Sequence, residues 1–129
     1  MTPPPPLSVL VVDDDRDYVE STVTLLRLHG YRARGETSGG RAVEAPAADP
    51  PDVALVDLAM PGLNGFEVAR RLRRLPAPPF LVAVTGRTAA WDQQQAALAG
   101  FGVYLTKPVP PDDLIDLLRM CDQSRGGSG

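Results

Sequence analysis

The chain has 129 residues, a formal net charge of −3 and one cysteine. That length supports one domain with a proper core and not two. The mild charge does not suggest electrostatic binding to nucleic acid, and no apolar run approaches the length of a membrane span.

Residues 1–7 read as a flexible leader, because the run Pro3 to Pro6 suits neither helix nor sheet. They also lack the charged-then-apolar order of a secretory signal. "LSVLVV" is a short apolar run with β-branched residues, hence a strand. It drives straight into Asp13, Asp14 and Asp15, and carboxylates crowded in this way oppose folding unless a positive group offsets them. Asp17 and Glu20 have the spacing of a helix-start box. Val19, Val23 and Leu26 then repeat at helical spacing, and Gly30 offers a stop.

"YRARGETS" is a weaker, alternating strand. "GGRAVEA" opens a helix that Pro46, Pro50 and Pro51 limit to one or two turns. "DVALVDL" is a fully apolar strand. After "MPGLNG", Asn64 and Glu67 form a second helix-start box, with Phe66, Ala69 and Leu72 facing inward. "FLVAVTG" is another buried strand, residues 89–99 a helix with a weak apolar face, and "GVYLTKP" the last strand. "PPDDLIDLLRMC" is a helix that places Leu114, Leu117, Leu118 and Cys121 on one face. The tail, residues 123–129, reads as flexible or as the start of a linker, so the domain is expected over 8–122.

Apolar strands alternating with helices imply an α/β fold: a parallel sheet covered on both faces, five-stranded and doubly wound in the order 2-1-3-4-5. Ligands in such sheets bind beyond the carboxyl ends of the strands, near the switch point between strands one and three. At that rim strand one delivers Asp13 and Asp14, strand three Asp57, strand four Thr85 and strand five Lys107. An all-oxygen cluster of this kind suits a hard cation such as Mg2+, which takes few carboxylates and several waters. Lys107 adds an ammonium and Thr85 a hydroxyl, the set expected for phosphoryl transfer to a carboxylate.

At these residues the sequence resembles the receiver domain of bacterial two-component response regulators. The matching pieces are "VLVVDDD", "LVDLAMPGLNG", "VAVTG" and "YLTKPV", in the family's order and spacing, over about Ser8 to Met120. The resemblance implies a cytoplasmic phosphoacceptor and not an enzyme with turnover: Asp57 receives the phosphoryl group from a histidine kinase or a histidine phosphotransfer protein. It further implies Mg2+ held by Asp14 directly, by Asp13 largely through water, by Asp57 and by the backbone carbonyl of Ala59. Lys107 then pairs with the phosphate, Thr85 hydrogen-bonds it, Tyr104 turns between exposed and buried rotamers as Thr85 moves, and the Lys107–Pro108 bond is cis. The output passes to a downstream protein or a fused domain, with no direct contact to nucleic acid or membrane. Arg87 is expected near the phosphate, where it could screen it from water.

Two other functions fit parts of the pattern. Asp13-x-Asp15 mimics the nucleophile motif of haloacid-dehalogenase-type phosphatases, although Asp17 stands where that motif has Thr or Val. A protein-binding domain that keeps the fold without phosphorylation is the other. For the remaining distinctive residues structural roles are expected: Asp15 and Asp17 as a solvated helix start, His29 as a cation at a helix end, Arg70, Arg71, Arg73 and Arg74 as a wet helix face, Trp91 and Cys121 as packing residues.

Overall fold

A computed structural model describes residues 5–44, 49–86 and 90–127. The elements follow the alternation read from the sequence: β1 (Ser8–Val12), α1 (Arg16–Leu28), β2 (Arg32–Glu36), α2 (Gly39–Glu44), β3 (Val53–Val56), α3 (Gly65–Leu72), β4 (Phe80–Thr85), α4 (Ala90–Ala99), β5 (Val103–Thr106) and α5 (Pro111–Gly127). All strand pairs are parallel, in the order β2-β1-β3-β4-β5.

The sheet divides the core in two. On one face Leu10, Val12, Ala54, Val56, Leu81 and Ala83 meet α2, α3 and α4 through residues such as Ala42, Val68, Leu72 and Ala96. On the other, Val9, Val11, Val53, Leu55, Val82 and Val84 meet Val19, Val23 and Leu26 of α1 and Leu114, Ile115 and Leu118 of α5. The central strands are buried on both faces, which is why their sequences are continuously apolar rather than alternating.

Three expectations need correction. The cap of α1 is Asp15, whose side chain accepts from the Tyr18 amide at 3.2 Å, so the helix starts before the Asp17–Glu20 box; Asp17 lies in the first turn. The chain turns from strand to helix within three residues, and the extended backbone of Asp15 aims its carboxylate at that free amide. The buried stripe of α5 is centred on Leu114, Ile115 and Leu118, leaving Leu117 and Cys121 half-buried; the helix is rotated towards Ile115. Phe66 is half-buried beside fully buried Val68 and Ala69, because the apolar stripe of α3 is centred on the latter pair.

Structure continues on either side of the expected domain, 8–122. Leu7 is buried, and its carbonyl accepts from the Arg32 amide at 3.0 Å. α5 continues to Gly127, and Arg125 bridges Asp52 at 3.3 Å and Asp122 at 2.6 Å. An ion pair back to the floor of the sheet gives these last turns a tertiary anchor that local composition does not reveal. Gly30 ends α1 as expected, with a φ of 88° that other residues rarely adopt. Pro46 and Arg87, to which roles were assigned, lie outside the described residues, as does the side chain of Trp91.

Candidate phosphoacceptor site

Register brings the acidic residues together. Val12 pairs with Val56 across β1 and β3, so Asp13 and Asp57 each follow the last paired residue of neighbouring strands. The Asp57 amide donates to the Val12 carbonyl at 2.9 Å, and the Asp13 amide to the Glu36 carbonyl at 3.2 Å. Both carboxylates are therefore delivered by backbone that the sheet holds, and both residues are buried. Asp14, one residue further out, is exposed, and oxygens of Asp13, Asp14 and Asp57 all lie within 4.8 Å of one another.

The loop after β3 is shaped to keep Asp57 in place. Its Oδ1 accepts from the Ala59 amide at 3.1 Å. Asn64 caps α3 by accepting from the Glu67 amide at 3.1 Å, as its spacing implied. Gly65 opens that helix against the loop itself: a Cβ there would collide with the Asp57 carbonyl and with Leu58. Ala59 is exposed.

The positive group that the acidic run demanded comes from β5. The Lys107 amide donates to the Thr85 carbonyl at 2.9 Å, and the cis Lys107–Pro108 peptide follows. Lys107 Nζ donates to Asp13 Oδ2 at 2.5 Å and is 3.7 Å from Asp57 Oδ2. Burial alone would lower the Lys107 pKa, but the hydrogen bond and charge of Asp13 and the charge of Asp57 reverse that, leaving it raised. The ammonium is thus protonated throughout the physiological range. One cation faces three carboxylates, and among the described residues no ion pair reaches Asp14. An excess of anionic oxygen open to solvent on one side is the donor set a hard divalent cation takes.

Thr85 is fully buried at the end of β4, and Tyr104 is half-buried on β5, packed against the α3–α4 side of the core. They share that face of the sheet, since Ala83 pairs with Tyr104 and Thr85 with Thr106.

A residue that the sequence reading passed over completes the site. Tyr18 places its ring centroid 4.3 Å from Lys107 Nζ. A second overlooked signal is composition: Lys107 is the only lysine in a chain otherwise supplied with arginine. Where a compact ammonium rather than a planar guanidinium is needed, the two are not interchangeable.

The Response regulator receiver domain family matches residues 9–119. The chain belongs to that family. It is 35% identical over 111 residues to the transcriptional regulatory protein KdpE of Mycobacterium tuberculosis, covering 86% of this chain and 49% of that protein. It is 34% identical over 110 residues to protein PilH of Pseudomonas aeruginosa, covering 83% and 90%. A CheY-like receiver domain protein from Methanospirillum hungatei JF-1 superposes with a TM-score of 0.89 at 25% identity, over 96% of this chain and 99% of that one. The chain spans about half the length of KdpE and of the related MprA proteins. The haloacid-dehalogenase reading falls away, since Asp15, the second carboxylate of its motif, is an exposed helix cap. Receiver domains hold Mg2+ at an acidic site, and response regulators work with histidine kinases and downstream effectors. Among the described residues no helix is long and apolar enough to cross a membrane.

The other singled-out residues have local roles. His29 caps the end of α1, with Nδ1 3.0 Å from the Leu25 carbonyl. Arg70, Arg71, Arg73 and Arg74 are exposed, Arg70 pairing with Glu67 at 3.3 Å. Burial pushes the Cys121 thiol pKa up, as befits a packing residue.

Proposed function

We propose that this receiver accepts a phosphoryl group on Asp57 from the phosphohistidine of a histidine kinase or histidine phosphotransfer protein. The observation that supports it is one ammonium within reach of both Asp13 and Asp57, beside a third carboxylate it does not neutralise. A carboxylate oxygen of Asp57 attacks phosphorus as the phosphorus–nitrogen bond breaks, and the departing imidazole nitrogen keeps the electron pair. Asp13, Asp14, Asp57 and the carbonyl of Ala59 are the residues that would hold Mg2+. When bound, that ion neutralises charge on the phosphoryl oxygens.

Lys107 turns from Asp13 towards the new phosphate, whose charge of about −1.5 to −2 outbids a carboxylate. The ammonium thus stabilises both the transfer and its product. Thr85, tied to Lys107 through its backbone carbonyl, donates its hydroxyl to a phosphate oxygen. Tyr104, on the same face of the sheet, follows Thr85 and changes the surface that a downstream protein or a fused domain reads. Hydrolysis of the acyl phosphate at the same site resets the switch.

Incubation with phosphoramidate and Mg2+, read by intact mass, tests this reading. The chain should gain one phosphoryl group, and gain none with Asp57→Asn or with the metal chelated. Equal uptake by Asp57→Asn would overturn the assignment.

A further inference from the structure

Lys107 has a long, flexible side chain and must be aimed at an anion that is present only part of the time. Asp13 grips it from one side and Asp57 stands at a longer distance. The aromatic face of Tyr18 occupies a third direction, 4.3 Å from the ammonium. Tyr18 is itself well fixed. Its amide is bound by the Asp15 cap, and its side chain packs against the core cluster under α1 and α5. The ring therefore belongs to the rigid start of the helix and not to a loose loop.

We propose that Tyr18 is a positioning residue for Lys107: its ring holds the ammonium beside Asp57 and shields one side of it from water. The proposal rests on the reading of Asp57 as phosphoacceptor. A third carboxylate in that place would bind Lys107 more strongly but would neutralise it and compete with the phosphate. A ring face attracts the cation through its quadrupole and offers no directional acceptor. Lys107 can then slide from Asp13 to a phosphate oxygen while keeping contact with the ring. Partial desolvation by the ring also strengthens the pull of the ammonium on an incoming anion.

Because Lys107 is the chain's only lysine, its side chain can be followed as a single set of resonances in protein labelled at lysine. Three variants decide the matter: Tyr18→Phe keeps the ring, while Tyr18→Leu and Tyr18→Met remove it. In the native protein and Tyr18→Phe the Lys107 ε-methylene protons should be displaced upfield by the ring current, and in the other two they should return towards ordinary values. The rate of phosphorylation by phosphoramidate at saturating Mg2+ should fall about 3- to 10-fold in Tyr18→Leu and Tyr18→Met, the size of a modest cation–π contact. Tyr18→Phe should stay within about twofold of the native rate, and Mg2+ affinity should be unchanged in all three. Tyr18→Met retains a long apolar side chain, so it serves if Tyr18→Leu does not fold. A native rate in a folded ringless variant, or a loss that Tyr18→Phe fails to rescue, would overturn the proposal. If the native protein takes up no phosphate at all, the acceptor reading fails, and the lysine resonances alone still decide whether the ring positions Lys107.

Discussion

Asp13 is almost completely buried and has Lys107 as its charge partner, so the pair is the point at which stability and function meet. Lys107→Met should cost about 1–3 kcal/mol in metal-free buffer, since it strands a buried carboxylate. Added Mg2+ should narrow that gap. Asp14 is the opposite case: exposed, next to two other carboxylates and, among the described residues, in no ion pair. Asp14→Asn should raise metal-free stability by several tenths of a kcal/mol while weakening Mg2+ binding, and in excess Mg2+ the native protein should become the more stable. At ten times its dissociation constant the ion contributes about 1.4 kcal/mol. Thermal melts with and without Mg2+ check both. The pH dependence follows from the direction of the Lys107 shift. Its pKa is raised on folding, so its contribution is full below the unfolded value of about 10.4 and is lost as pH rises through the folded one. The stability difference between native and Lys107→Met should thus be flat from about pH 7 to 9 and shrink only in alkali.

At the scale of elements, two short caps set the frame of the site. Asp15 begins α1 and Asn64 begins α3, each by one side-chain bond to a free amide. Asp15→Ala and Asn64→Ala should each lower stability by about 1 kcal/mol, seen as a lower urea midpoint with an unchanged slope. The Asn64 cap was legible because nothing nearby competes with it. The α1 cap was misassigned because four carboxylates stand within five residues there. Local spacing cannot say which of them the sheet has already claimed, whereas the strand register removes Asp13 and leaves Asp15 free to cap. Tyr18 escaped for a related reason: its spacing marks an ordinary helix position, and only the reach of Lys107 from the end of β5 across the rim brings an ammonium over its ring.

For the whole molecule, the strand order and the rim at which Asp13, Asp57, Thr85 and Lys107 emerge were readable, because apolar runs ending in polar residues recur with right-handed crossovers. The anchoring of Leu7 and Arg125 was not, since both are secured by partners distant in sequence. Removing residues 123–129 should lower the melting temperature by a few degrees, in keeping with about 1 kcal/mol for a partly exposed ion-pair network. Arg125→Ala should reproduce most of that loss. Neither change should alter phosphorylation, because Asp52 and Arg125 lie at the floor of the sheet and the acceptor site at the opposite rim.

Whether Asp57 carries the phosphoryl group is tested most directly by trapping the acyl phosphate with borohydride after phosphoramidate and Mg2+ treatment and locating the reduced residue by peptide mass spectrometry. The expected result is a single reduced residue at position 57 that disappears when Mg2+ is withheld. Modification at Asp13 or Asp14 instead, or at Asp57 regardless of the metal, would contradict a site in which magnesium and Lys107 together make that one carboxylate reactive.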